Sequence, residues 1–222
     1  MPEFPSIPLN AAGQRIEDQS LAIIEAEAPL PRPFAGDQWM VVRRMIHASA
    51  DFELLDLVRF HPRALESGIA ALKRARAVIT DTRMAAAGLP ARLYEPLGCN
   101  VHCLINDPRV LELAQSRETT RCAAAVEVAA HRYPDAIWLI GNAPTALLRL
   151  IELVRLGRAC PALVIGMPVG FVQAAESKEA LMALAGSPFI SICGRKGGSS
   201  LAASALNALA MIALSNQRNC SH

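Results

Sequence analysis

A chain of 222 residues with 52% hydrophobic composition can bury one substantial core and lies near the upper size for one compact domain. Charged residues make up 19% and the formal net charge is +2, which excludes the broad basic field of a protein that coats nucleic acid and leaves anion recognition to local features.

Two helices are predicted at the start, from about Ile16 to Ala28 and from about Asp37 to Ser49, flanking a loop that holds Pro29, Pro31 and Pro33. Beyond them strand and helix largely alternate. Short apolar, partly β-branched runs predict strands at Ala77–Thr80, Val101–Ile105, Ala136–Ile140, Ala162–Ile165 and Phe189–Cys193. Helical spacing and good helix formers occupy Pro62–Ala75, Thr119–His131, Pro144–Leu156, Glu176–Leu184 and Ser199–Leu214. Asn142-Ala143-Pro144 supplies a helix start, whereas Gly157 and Gly186-Ser187-Pro188 supply stops. The expected architecture is α/β: a single layered domain over 1–222 with a largely parallel sheet flanked by helices, and an N-terminal helical extension. In such sheets ligands bind past the carboxyl ends of the strands, so the loops there are where chemistry is to be sought.

The start, Met1-Pro2-Glu3-Phe4, has neither the basic residues nor the apolar run of a secretory signal. The most apolar stretches, Ile137–Leu150 and Leu201–Leu214, are interrupted by Gly, Asn, Pro or Ser before they would span a bilayer, so no membrane segment and a cytoplasmic location are expected. The six cysteines (99, 103, 122, 160, 193 and 220) form no Cys-x-x-Cys pair and read as reduced, mostly buried thiols.

Four loops are distinctive. Thr80-Asp81-Thr82-Arg83-Met84 presents hydroxyls and a carboxylate after a strand, although helix capping alone explains these residues. Gly141-Asn142-Ala143-Pro144-Thr145 orients an amide and backbone N–H groups at a helix start, where a cap is again sufficient. Gly166-Met167-Pro168-Val169-Gly170-Phe171-Val172, followed by Glu176-Ser177-Lys178, has glycines that let backbone approach a flat ligand or another chain. Gly194-Arg195-Lys196-Gly197-Gly198-Ser199-Ser200 is a basic glycine-rich loop opening a helix, suited to anions and especially to carboxylates, which match the planar donor fork of Arg195. Its lysine precedes the paired glycines, so it is not a nucleotide phosphate loop, and no Gly-x-Gly-x-x-Gly follows any strand.

Of five histidines, His222 is terminal, while His61 and His131 fall at helix ends. His102 sits near Cys99 and Cys103, but neighbours in an extended stretch point to opposite faces, so no metal site is expected. His47, in Arg43-Arg44-Met45-Ile46-His47-Ala48-Ser49, lies where a basic helix gives way to small polar residues; histidine titrates where an acid catalyst at neutral pH must, although taken alone a histidine so placed is more often structural.

Six blocks in order carry a resemblance: Ser20-Leu21-Ala22-Ile23-Ile24, Arg44-Met45-Ile46-His47, Gly141 to Leu147, Gly166 to Val172, Glu176-Ser177-Lys178 and Gly194 to Ser199. Together they resemble the precorrin-8X methylmutase family over about residues 16–214. The resemblance implies an α/β homodimer that binds a tetrapyrrole-derived macrocycle near its subunit interface. The implied reaction is an intramolecular methyl shift giving hydrogenobyrinate in cobalamin biosynthesis, with no organic cofactor. By the same resemblance His47 is the catalytic acid, and Ser20 and Arg121, the latter in Thr120-Arg121-Cys122-Ala123-Ala124-Ala125, contact substrate. Arg195 and Ser199 are the next substrate-binding candidates. Thr80, Asp81 and Asn142 follow, each able to serve instead as a cap or loop support. Two other readings stay open: a cobalt-precorrin-8 methylmutase acting on the cobalt complex, and a tetrapyrrole carrier that binds without catalysing.

Overall fold

The computed structural model, which describes residues 11–219, places short apolar runs in a sheet buried on both faces. Met1–Phe4, Cys220 and His222 lie outside the described residues. The strands are β1 (Val58–Phe60), β2 (Val78–Thr80), β3 (Val101–His102), β4 (Ile137–Ile140), β5 (Leu163–Gly166) and β6 (Phe189–Ile192), in the order β1-β6-β5-β4-β2-β3. All neighbours are parallel except β1, which runs antiparallel to β6 at the edge. Every residue of β4, β5 and β6 is buried, so these strands read as continuous rather than alternating apolar runs.

Alternate side chains of the central strands feed two cores. Ile137 and Leu139 join the core under α2 (Gly36–Ser49), α4 (Ala64–Lys73) and α11 (Ser199–Asn219). Trp138 and Ile140 join the other, under α8 (Arg121–Arg132), α9 (Pro144–Arg155) and α10 (Ala174–Met182). The helix α1 (Ala11–Glu27) is the predicted extension. It buries Leu21 and Ile24 and is tied to α2 and its approach by the Glu17–Arg44, Glu25–Arg32 and Glu25–Arg43 ion pairs, with Trp39 Nε1 donating to Glu25 at 2.9 Å.

Four short helices were not expected: α3 (Leu54–Leu57), α5 (Arg83–Ala87), α6 (Ala91–Tyr94) and α7 (Pro108–Ser116). The expected strand Val101–Ile105 pairs only through Val101 and His102, because the chain turns away towards α7, whose N-cap Asp107 accepts from Arg109 N–H at 3.0 Å. The cysteine expectation is corrected as well. The five described ones are free, but only Cys99 is fully buried and Cys160 is exposed.

Helix α11 corrects the hydropathy reading: Ser199–Gln217 is long and apolar enough to cross a membrane by length and composition. Its place in the fold explains that composition, since it lies between the sheet and α2, α4, α5 and α6, with Ala202, Ala205, Leu206, Ala208, Leu209 and Ala210 fully buried. Its amide Asn207 is satisfied, accepting from Tyr94 Oη at 2.8 Å and donating to Gly88 O at 2.9 Å.

Candidate active site

The strand order reverses direction between β2 and β4, because the chain passes from β2 out to β3 and then returns to the other side of β2 to form β4. A crevice opens at such a switch point beyond the carboxyl ends of the strands. Here Asp81, directly after β2 and only 4% exposed, reaches across it. Its carboxylate accepts the backbone N–H groups of Gly141 at 3.3 Å, Asn142 at 2.8 Å and Ala143 at 2.8 Å, at the start of α9. Burial pushes this carboxyl up, against the opposing pull of those three donors. Asp81 thus braces the loop leading into α9 against the loop that follows β2. Asn142 leaves its side chain exposed at the rim.

The neighbouring loops close onto this brace. Buried Thr80 donates from Oγ1 to the Thr82 carbonyl at 3.1 Å, and Thr82 Oγ1 caps α5 by accepting from Ala85 N–H at 3.1 Å. Thr82 Oγ1 is also 3.2 Å from the hydroxyl of Ser199, the first residue of α11. A Cβ on Gly141 would fall 2.6 Å from Ser199 Cα, so glycine is what lets these backbones meet. Gly198 N–H donates to the Met167 carbonyl at 2.9 Å, and Gly170 N–H donates to the Arg195 carbonyl at 3.3 Å. The loops after β2, β4, β5 and β6, distant in sequence, therefore form one surface.

Beneath that surface lies Lys178 of α10, fully buried, with its ammonium donating to the carbonyl of Lys196. Burial lowers it to about 8. Lys196 itself reaches outward to Asp51 at 2.6 Å and Glu53 at 2.7 Å, and its ammonium holds Asp51 below the usual carboxylate range. Asp51 and Glu53 follow the end of α2, four and six residues beyond His47, so the histidine's helix end is joined to the basic loop.

His47 is exposed on the last turn of α2. Partial desolvation and the Arg44 guanidinium lower its pKa, outweighing the opposite pull of Glu17. Ser20, half-buried on α1, stands one helical turn from Glu17, which pairs with Arg44 of α2. No hydrogen bond links Ser20 or His47 to the loops among the described residues.

The rim is cationic and apolar at once. Arg195 is exposed, its guanidinium 5.6 Å from the centre of the Phe171 ring. Arg121, the first residue of α8, is exposed as well, behind the N-cap Thr120, whose hydroxyl is 2.9 Å from that of Thr145. Neither arginine has an acidic partner among the described residues, and the same holds for exposed Arg83 at the start of α5. Phe171 is 82% exposed, Val172 79% and Met84 76%. An exposed aromatic ring beside a guanidinium group that has no acidic partner among the described residues is a feature of surfaces that become covered.

Arg83, Met84, Phe171 and Val172 belong to the distinctive loops, but nothing in a linear sequence separates an exposed loop hydrophobe from a buried one. Lys178 had a usable signal: Ala174, Ser177, Lys178 and Leu181 occupy one buried helix stripe, where a lysine is out of place. No cluster of three or more His, Cys, Asp or Glu side chains able to hold a metal occurs among the described residues, and His102 instead stacks on Tyr133 with ring centres 4.8 Å apart.

Fold and site together define an α/β enzyme whose loops beyond the strand ends, at the switch point, carry exposed cations and exposed apolar side chains. The family model for precorrin-8X methylmutase matches residues 15–212, and the chain belongs to that family of isomerases, the methylmutases of cobalamin biosynthesis. A cobalt-precorrin-8 methylmutase of Leptospira interrogans is 41% identical over 207 residues, covering 90% of this chain and 94% of its own. A precorrin-8X methylmutase of Pseudomonas aeruginosa is 44% identical over 199 residues, covering 89% and 95%. The crystal structure of a precorrin-8X methylmutase from Thermus thermophilus superposes with a TM-score of 0.85 at 45% identity, covering 92% of this chain and 98% of that one.

Proposed function

We propose that this methylmutase acts on metal-free precorrin-8X, in the cytoplasm and as a homodimer, moving a methyl group between adjacent ring carbons to give hydrogenobyrinate. The observation that carries the reading is the company His47 keeps. His47 stands exposed on a helix whose end is joined through Asp51, Glu53 and Lys196 to a loop bearing Arg195; Arg195 and Arg121 lack acidic partners among the described residues, and Phe171, Val172 and Met84 are bare. A flat macrocycle lies on the apolar groups, its peripheral carboxylates meet Arg195, Arg121, Ser199, Asn142 and Ser20, and Thr80 and Asp81 shape the floor from beneath. The remaining apolar surface suits a second subunit closing over the substrate.

His47 protonates a ring nitrogen. That draws electron density through the conjugated system and eases migration of the methyl to the neighbouring carbon, where the new conjugation stabilises the product. The reaction is an isomerisation, so the proton lent at the start is regained at the end. Bound carboxylates near the imidazole favour its charged form, opposing the lowering by Arg44 and bringing the acid towards neutral pH in the complex.

A second reading is favoured by the relative from Leptospira interrogans, whose name specifies the cobalt-containing substrate. With cobalt on the ring nitrogens there is no free nitrogen to protonate, and His47 then acts sterically or electrostatically. Absorbance time courses with purified protein and each macrocycle separate the two. Conversion of metal-free precorrin-8X supports proton donation by His47, and conversion of the cobalt complex alone moves the chain to the other substrate. Tight product binding without conversion of either leaves a carrier.

A further inference from the structure

Lys196 sits in a basic glycine loop at a helix start, a place where a lysine reads as a ligand for anions. Its contacts point elsewhere. The ammonium lies 2.6 Å from Asp51 and 2.7 Å from Glu53, so the three side chains together carry one net negative charge and repel an arriving carboxylate. Its backbone carbonyl is held from below by the buried ammonium of Lys178. The two acids occupy a defined turn: Ala50 ends α2 in the left-handed region at φ 52°, and the Asp51 carboxylate accepts the Glu53 N–H at 2.9 Å. Lys196 is thus gripped at both ends, by α10 through its backbone and by the end of α2 through its side chain. Arg195, next in the chain, is left without an acidic partner among the described residues.

We propose that Lys196 is a positioning residue that ties the loop bearing Arg195 and Ser199 to the end of α2 bearing His47, and that it does not itself bind the substrate's carboxylates. This rests on the methylmutase reading with His47 as the acid. Exposed ion pairs add little to folding stability, and Glu53 is well exposed, so the effect is on geometry. Displacing a reacting group by about 1 Å lowers rates by up to about 10²-fold.

The test compares Lys196→Met, the Asp51→Asn/Glu53→Gln double variant and the triple variant. The readouts are kcat and KM on the macrocycle that the wild type converts, affinity for hydrogenobyrinate by absorbance titration, and hydrogen exchange of segments 48–53 and 194–199. A positioning role lowers kcat on the order of tenfold in both Lys196→Met and the acid double variant. It also leaves the triple no worse than either and raises exchange in both segments together, while Lys196→Arg restores the rate. A ligand role gives opposite signs: Lys196→Met loses affinity, and the acid double variant, which frees the ammonium, gains it. That outcome overturns the proposal, as does unchanged exchange of 48–53 in Lys196→Met. If the wild type converts neither macrocycle, the catalytic reading fails separately, and the exchange measurements alone decide whether Lys196 joins the two segments.

Discussion

Single ionisable groups set the pH behaviour. His47 is exposed, so His47→Ala should leave the thermal midpoint within about a degree or two of wild type, while the proposed role as proton donor predicts a kcat lower by about 10²–10⁴-fold. A general acid works only while protonated. With its pKa lowered in the free protein by partial desolvation and Arg44, the proposed role predicts that kcat/KM falls as pH rises through a point below the ordinary histidine value, and that the corresponding limb of kcat lies higher if substrate carboxylates sit near the imidazolium. A kcat/KM profile flat from pH 5 to 8 would remove His47 from that role. Lys178 instead contributes to how stability depends on pH. Its folded value of about 8 is below that of an unfolded lysine near 10.4, so between those values the unfolded chain binds the extra proton and the contribution to stability rises with pH. Tyr94 and Cys99, both pushed up by burial, act in the opposite direction at alkaline pH, which makes the difference between variants the informative quantity. Urea unfolding of wild type and Lys178→Met should show the variant's relative stability declining from pH 8 to 10. A constant difference would mean that Lys178 is not desolvated. The sequence marked His47 and Arg195 through their settings, but the pairing of Lys196 was not legible, because Asp51 and Lys196 are 145 residues apart.

At the scale of elements, what holds the site is close backbone approach between loops. A Cβ on Gly197 would lie 2.2 Å from the Met167 carbonyl oxygen and 2.7 Å from that of Pro168, and backbone atoms cannot rotate away. Gly197→Ala should therefore destabilise by about 1–3 kcal/mol, seen as a lower denaturant midpoint at unchanged m, with weaker macrocycle binding as the loop shifts. An unchanged midpoint would show that the two loops do not touch as described. The helices α2, α8, α9 and α11 were legible because each combines a start signal or helical periodicity with length. By contrast, β1 has three residues, too few for periodicity to register, and it is a strand only because β6 offers an edge to pair with. The short α3, α5 and α6 likewise lie below the length at which a helix is stable or recognisable by itself.

Across the whole molecule, α11 binds the layers into one cooperative unit, since it packs on the sheet with one side and on α2 and α4 with others. Leu209 is fully buried there, close to where Gly68 lets α4 approach. Leu209→Ala should cost about 2–5 kcal/mol in a single transition monitored at once by circular dichroism and tryptophan fluorescence. Separate transitions would show that α1 and α2 melt independently of the sheet. The sequence by itself determined the α/β class, the positions of the central strands and long helices, and the family, because periodicity, start and stop residues and ordered motifs are all local along the chain. Only the tertiary structure decided that Asp81 holds the loop leading into α9, that Lys196 is engaged by acids following His47, and that an apparently membrane-length helix is the centre of the core. Each depends on residues brought together from distant segments, and the free energy of such contacts exists only after the sheet order has placed those segments side by side.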